Sequence, residues 1–153
     1  MSLNDQELIA GFEKIIGKTQ VITAPDDLEP YLVDWRKRYR GQAIAALRPG
    51  NTQEVSEFVK LCAANLIAIV PQGGNTGLVV GSVPDESGQQ VVLSLQRMNK
   101  VRSLDAANLT VVAEAGCILQ TVQEHVEKAG YLFPLSLAAE GSCTLGGNLG
   151  TNA

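Results

Sequence analysis

The stretch from residue 43 to residue 81 limits the fold most. Two short apolar runs, AIAAL (43–47) and LIAIV (66–70), flank a segment with helical spacing, and the second run leads straight into PQGGNTGLVVG (71–81). Asn51, with Glu54 three residues on, fits a capping box, and Val55, Phe58, Val59, Cys62 and Leu66 continue one apolar helical face. Strand, helix and strand in that order read as a β-α-β unit, whose strands run parallel under a right-handed crossover with both faces covered. The glycine loop then lies at the carboxyl end of a parallel strand, where open α/β sheets bind ligands.

Gly73, Gly74 and Gly77 lack a Cβ, so they can take φ > 0 and turn successive amide N–H groups toward one point as an anion nest. Asn75 and Thr76 add neutral polar side chains, and a diphosphate fits that chemistry. The spacing matches neither G-x-G-x-x-G nor a P-loop, which needs a lysine after its last glycine. No clear helix follows either, because LVVGSVPDESGQQ contains Gly81, Pro84 and Gly88. Taken alone, so short a loop reads as a tight turn without a ligand.

The other segments set that loop in context. Residues 5–16 form a helix with Leu8, Ile9, Phe12, Ile15 and Ile16 on one face, Asn4 as N-cap and Gly17 as stop. TQVIT reads as a short strand. A brief helix opens at Pro25, is interrupted near Pro30 and leads into the basic RKRYRGQ, read as a solvated loop. Three closely spaced strands, QVVLSL (90–95), KVRSLD (100–105) and LTVVAEAG (109–116), leave no room for helical crossovers and imply antiparallel hairpins. Residues 117–129 give a helix with Ile118, Leu119, Val122, Val126 and Ala129 inward, and His125, the single histidine, reads as a surface or edge residue. The fold class is α+β, with a parallel unit at 1–89 and an antiparallel unit at 90–153.

A second glycine-rich tract, EGSCTLGGNLGTNA (140–153), interleaves glycines with hydroxyl and amide side chains. Two such tracts about 60 residues apart, one in each unit, are more specific than either alone, and a ligand lying between the units explains both. A net charge of −4 with 18% charged residues lacks the basic footprint of a nucleic-acid binder. Cys62, Cys117 and Cys143 form no C-x-x-C pair, so neither a disulfide framework nor a metal site is indicated. No apolar stretch approaches the roughly 20 residues that span a bilayer. The first residues lack the basic start and apolar core of a signal peptide, so the expected location is cytoplasmic.

PQGGNTGLVVGSVP, followed at this distance by FPLSLAAEGSCTLGGNLGTNA, resembles the FAD-binding domain (PCMH type) of the vanillyl-alcohol oxidase and p-cresol methylhydroxylase superfamily. DWRKRYRG and LRPGNTQEV are similar to the segments preceding the first loop in its FAD-linked D-2-hydroxyacid dehydrogenase branch, which includes D-lactate, D-2-hydroxyglutarate and glycolate-oxidase-subunit types. The resemblance covers essentially the whole chain and implies two α+β subdomains with FAD between them. It places Gly73, Gly74, Asn75, Thr76 and Gly77 around the diphosphate, with Pro71, Gln72 and Leu78 beside it. Gly141, Ser142, Thr144, Gly146, Gly147, Asn148 and Thr151 hold the second side, and Pro134, Leu135, Ser136 and Leu137 lead toward the flavin ring. Backbone amides would carry most of the anion stabilisation, because neither tract contains Lys or Arg. Some members attach FAD covalently through a histidine in the first loop; Asn75 stands there instead, so FAD is expected to be non-covalent.

In the family the second motif runs on into the rest of the FAD domain, and a separate cap domain supplies the substrate site. With Ala153 last, the expectation is a C-terminally truncated second subdomain, no cap domain and no assignable catalytic residue. An end at this point is expected to expose apolar surface and strand edges, with self-association into a homo-oligomer as one result. The implied activity of the parent protein is hydride transfer from the α-carbon of a D-2-hydroxyacid to FAD, giving a 2-oxoacid. Two other readings are a non-catalytic FAD-binding or self-associating fragment and a nucleotide-sugar reductase on the same fold.

Overall fold

A computed structural model describes residues 3–153. Helix α1 (Asp5–Ile16) starts at a full capping box: the Asn4 side chain accepts from the Glu7 N–H at 3.0 Å, and the Glu7 carboxylate accepts from the Asn4 N–H at 2.9 Å. Gly17, at φ 85°, ends it as the sequence predicts. Strand β1 (Val21–Ile22) and helix α2 (Pro25–Leu32) follow. Pro30 does not interrupt α2: the loss of one backbone bond is offset by burial of Tyr31 and Leu32 in its last turn.

Next come β2 (Ala45–Leu47), α3 (Thr52–Ala64), β3 (Ala68–Gln72) and β4 (Gln90–Ser94), and the sheet order is β1-β2-β4-β3. β2 and β3 both run parallel to β4, so the β-α-β orientation stands, but the two are not neighbours; Val92 of β4 faces Ala46 on one side and Val70 on the other. Residues 90–94, expected in an antiparallel group, therefore cross the expected division at residue 89. The physical reason is in the run itself. Val91, Val92, Leu93 and Ser94 are all buried, which only a strand covered on both faces and flanked on both edges allows.

Alternation along the central strands divides the core in two. Ala45, Leu47, Val91 and Leu93 pack with Leu8, Phe12, Phe58 and Cys62 from α1 and α3, while Ala46 and Val92 pack with Leu28, Tyr31 and Leu32 from α2. Val59 and Leu66, expected on the inner face of α3, are 40% and 93% exposed. Leu66 lies beyond the helix end in the left-handed region, at φ 59°. The Asn51 box is half formed: its side chain accepts from the Glu54 N–H, whereas the Glu54 carboxylate accepts from the Gly50 N–H and the Asn51 Nδ2.

The antiparallel part reduces to one hairpin, β5 (Val101–Asp105) and β6 (Thr110–Ala113), whose turn is closed by the Asp105 carboxylate accepting from the Ala107 and Asn108 N–H groups. Helix α4 (Leu119–Glu127) packs on β5 and buries Leu119, Val122 and Val126; Ile118 and Ala129, expected inward, are exposed outside its ends. Helix α5 (Leu145–Thr151) completes the described chain. The two parts are stitched together near residues 95–98, 115–118 and 143–146. There Gly116 N donates to Met98 O, Gly146 N to Ala115 O, and Leu145 N to Cys117 O, all between 2.8 and 2.9 Å.

Candidate functional site

Because β3 and β4 are parallel neighbours, residues 73–89 must carry the chain back along the sheet, a task usually given to a helix. Here the crossover is irregular and is held by side-chain amides. Gln72, 4% exposed, donates through Nε2 to Tyr31 O at 3.0 Å and Ser82 O at 2.8 Å. Asn75 donates through Nδ2 to Val33 O at 2.8 Å and accepts from Ser82 Oγ at 2.8 Å. Among the described residues, no backbone N–H from Gly73 through Ser82 donates to a protein acceptor. Ten successive amide donors are thus left without a protein partner, as an anion-binding loop would require.

The glycines earn their place differently from expectation. Gly73, Gly74 and Gly77 have no positive φ; the left-handed residues of the loop are Asn75 (φ 51°) and Val80 (φ 68°). Gly73 and Gly74 are required instead by close approach of the second tract. A Cβ on Gly73 would strike Thr144 Oγ1, and one on Gly74 would lie on the Ser142 carbonyl, 2.8 Å from its carbon and 3.2 Å from Cys143 Cα. The two glycine tracts, some 60 residues apart in sequence, thus touch.

The second tract contributes walls more than donors. The N–H groups of Ser142, Cys143, Leu145, Gly146 and Asn148 all bond to backbone carbonyls, and that of Gly147 bonds to Thr144 Oγ1. Asn148 is buried, with Nδ2 3.5 Å from Cys143 Sγ, and Thr151 Oγ1 donates to Gly147 O. Among the described residues, Gly141 and Thr144 have no protein acceptor for their N–H groups, so the second tract leaves far fewer donors free than the first loop.

Two clefts flank this junction. The larger, of about 650 Å³, is lined by Asp27, Pro30, Tyr31, Val33, Asp34, Trp35, Lys37, Gln72, Gly74, Asn75 and Gln96. The smaller, of about 380 Å³, is lined by Gly74, Gln96, Asn99, Gly116, Ile118, Thr121, Ser142 and Thr144. Of the residues singled out from sequence, Gln72, Gly74, Asn75, Ser142 and Thr144 line a cleft. Gly73, Gly146, Gly147 and Asn148 stand in the contact zone behind them. Pro71, Thr76, Gly77, Leu78, Gly141 and Thr151 line neither cleft. Nor do Pro134, Leu135, Ser136 and Leu137, whose loop is tied to α4 by Gln123 Nε2 donating to Leu135 O at 2.7 Å. Sequence reasoning missed Trp35, Lys37, Gln96, Asn99, Gly116 and Thr121, which lie outside both glycine tracts. For Gly116 the signal is a glycine following a strand: a Cβ there would strike Leu95 O.

Asp34 organises the rim of the larger cleft. Its carboxylate accepts from the N–H groups of Tyr39 (2.6 Å), Arg38 (2.7 Å) and Arg36 (3.0 Å), which fixes the DWRKRY turn. These bonds, the one from Tyr39 foremost, hold the carboxyl below the usual aspartate range. Arg40 is spent on Glu29, while Lys37 is in no ion pair among the described residues.

A dinucleotide cofactor fits this donor set: a loop of free amides at the centre, a cleft on each side, and side chains that are mostly neutral and polar. Residues 43–153 match the family model of the FAD binding domain. The chain belongs to that family. It is 42% identical over 149 residues to D-2-hydroxyglutarate dehydrogenase, mitochondrial, of Arabidopsis thaliana, covering 97% of this chain and 26% of that protein. It is 40% identical over 158 residues to the putative D-lactate dehydrogenase C713.03, mitochondrial, of Schizosaccharomyces pombe, covering 99% of this chain and 30% of that one. Among solved structures, p-cresol methylhydroxylase with substrate bound superposes with a TM-score of 0.77 at 22% identity, over 96% of this chain and 28% of its own, which shows the shared PCMH-type α+β fold. The chain spans about a quarter to a third of the length of these relatives.

FAD is the cofactor that this domain family takes, and the single histidine, His125, lies exposed on α4 and lines neither cleft. The cytoplasmic expectation does not stand, because both relatives carry "mitochondrial" in their names. It rested on the composition of the first residues, which cannot decide the location of a chain that spans so small a share of its relatives. No helix among the described residues is long and apolar enough to cross a membrane, and no cluster of three or more His, Cys, Asp or Glu stands ready for a metal.

Proposed function

We propose that this chain is the FAD-holding part of a flavin-dependent oxidoreductase that converts a D-2-hydroxyacid to a 2-oxoacid. Bound flavin supplies the acceptor for the hydride leaving the substrate α-carbon. This chain's own residues bind and orient: the free amides of Gly73 to Ser82 stabilise the diphosphate, Thr144 and Ser142 close the second side, and Gln72 and Asn75 keep the crossover loop in shape. The unspent donor run beside two clefts that share Gly74 carries this reading. The hydroxyacid class is supported by the names of the two dehydrogenases described above.

A binding role without catalysis by this chain alone has its own support. The smaller cleft contains no titratable side chain, and the titratable groups around the larger one are Asp27, Tyr31, Asp34 and Lys37, with Asp34 fully spent on its turn. Equilibrium dialysis of FAD against the 153-residue chain, paired with dye reduction by a longer protein containing it, separates the readings. The proposal expects FAD retention by the chain and turnover of D- but not L-2-hydroxyacids by the longer protein. Retention without turnover supports the binding module, and turnover of a nucleotide sugar supports a reductase. Size-exclusion chromatography of the chain with and without FAD tests self-association.

A further inference from the structure

Trp35 is a large side chain that the fold leaves uncovered in the wall of the larger cleft. It is the only tryptophan, it is 62% exposed, and it follows directly on Asp34, which is 4% exposed and pinned by three backbone donors. An indole is costly to leave in water, and one fixed on a rigid turn is preorganised for contact with a partner other than the described residues. Its neighbour in the wall is Lys37, held at φ 56° and in no ion pair among the described residues.

Gly74 and Gln96 are the two residues common to both clefts, and Gly74 is the second residue in the run of free amides. A diphosphate bound there would send one end of the dinucleotide into each cleft. The clefts differ in two respects that match the two ends. One is about 650 Å³ and is lined by the exposed Trp35, by Lys37 and by the carboxylates Asp27 and Asp34, the latter held by three backbone donors; the other is about 380 Å³, uncharged, and offers Asn99, Thr121 and Ser142. The flavin ring with its ribityl chain is the larger end and gains negative charge on reduction, whereas adenosine is smaller and calls for neutral hydrogen-bonding partners.

We propose that Trp35 and Lys37 form the flavin end of the site, the indole stacking against the ring and the ammonium facing its electron-rich edge, with adenosine in the cleft of Thr121 and Ser142. This rests on the FAD reading above. Lys37 would then raise the flavin midpoint potential, because a nearby cation favours the form that carries more negative charge.

The test is equilibrium binding of FAD and of ADP to the 153-residue chain and to its Trp35→Leu, Lys37→Gln and Thr121→Val variants, with far-UV circular dichroism to confirm that each is folded. Ring stacking on an aromatic is worth about 1–3 kcal/mol, so Trp35→Leu should weaken FAD binding roughly 5- to 150-fold and leave ADP binding within about twofold. Thr121→Val should weaken both ligands by the same factor. Lys37→Gln should lower the midpoint potential of bound FAD and leave ADP binding unchanged. Equal losses of FAD and ADP in Trp35→Leu would put adenine on the indole and overturn the assignment, and so would no loss of either. If the parent chain binds neither FAD nor ADP, the FAD reading itself fails along with it.

Discussion

Gly74→Ala tests the claim that close approach, and not backbone freedom, is why glycine stands in the first loop. The added Cβ would lie on the Ser142 carbonyl group, 2.8 Å from its carbon where ordinary contact begins at 3.4 Å. The two tracts must therefore part by at least roughly 0.6 Å, and the obstacle is backbone, which cannot rotate away. Overpacking of this kind costs about 1–3 kcal/mol. Gly73→Ala meets Thr144 Oγ1, the end of a side chain, so relief is easier, but it displaces the hydroxyl that accepts from Gly147 N–H. Gly77→Ala meets nothing within 4 Å and has no positive φ to lose.

The expected order of stability loss is Gly74→Ala, then Gly73→Ala, then Gly77→Ala, the last within about 0.5 kcal/mol of the parent chain. Urea unfolding followed by circular dichroism reads it directly, with an unchanged slope showing that the native state stays compact. FAD affinity should rank differently, because Gly77 lies among the free amides and a methyl there can obstruct a ligand without disturbing the fold. The close-approach account fails if Gly74→Ala is as stable as Gly77→Ala.

Three further outcomes follow from local geometry. Leu66→Asn should raise stability by about 0.5–1 kcal/mol in urea, since Leu66 is 93% exposed and left-handed, a conformation that Asn tolerates and leucine does not; a loss would refute this. The lowered pKa of Asp34 means that its contribution is fully present above the unfolded aspartate value of about 3.9 and is lost as the pH falls through that value toward the folded one. The stability difference between the parent chain and Asp34→Asn should therefore be constant from pH 5 to 7 (about one unit and more above that value) and shrink below about pH 4, whereas a difference that grows in acid would reverse the sign. Burial pushes the Cys62 thiol up to about 12 and raises that of Cys117 as well, so a maleimide at pH 8 should label neither in the native chain and both in urea.

Local signals and the apolar face of α1 were legible in the sequence because Asn4, Glu7 and Gly17 act on their own neighbourhood. Sheet order was not, because it depends on which strand can bury both faces. The contrast was present in the residues: QVVLS is a continuous apolar run, whereas KVRSLD alternates, yet short spacing to the next strand argued for a hairpin. The site was half legible. Glycine composition marked both tracts, and their contact could be inferred from there being two, but the reason for each glycine lay in distances across the junction. Trp35, Lys37, Gln96 and Thr121 are ordinary residues in sequence, and only the fold brings them to the same clefts as Gly74.

The insertion of β4 between β2 and β3 has a chemical consequence. A helical crossover from β3 to β4 would have spent its own amides on its own carbonyls. The chain instead fixes residues 73–89 through Gln72, Asn75 and Ser82, whose side chains bond to each other and to the backbone at Tyr31, Val33 and Ser82. Order is thus supplied by side chains while the backbone donors stay free. The same loop must then be backed by something that will not compete for those donors. The second tract meets this need because the N–H groups of Ser142, Cys143, Leu145, Gly146, Gly147 and Asn148 are already satisfied and it presents to the loop the Ser142 carbonyl and the Thr144 side chain. A polar ligand that brings its own acceptors, as a diphosphate does, is what completes the hydrogen bonding of the crossover. On the function proposed above, FAD is that ligand, and its binding should add stability to a loop that the side chains already order.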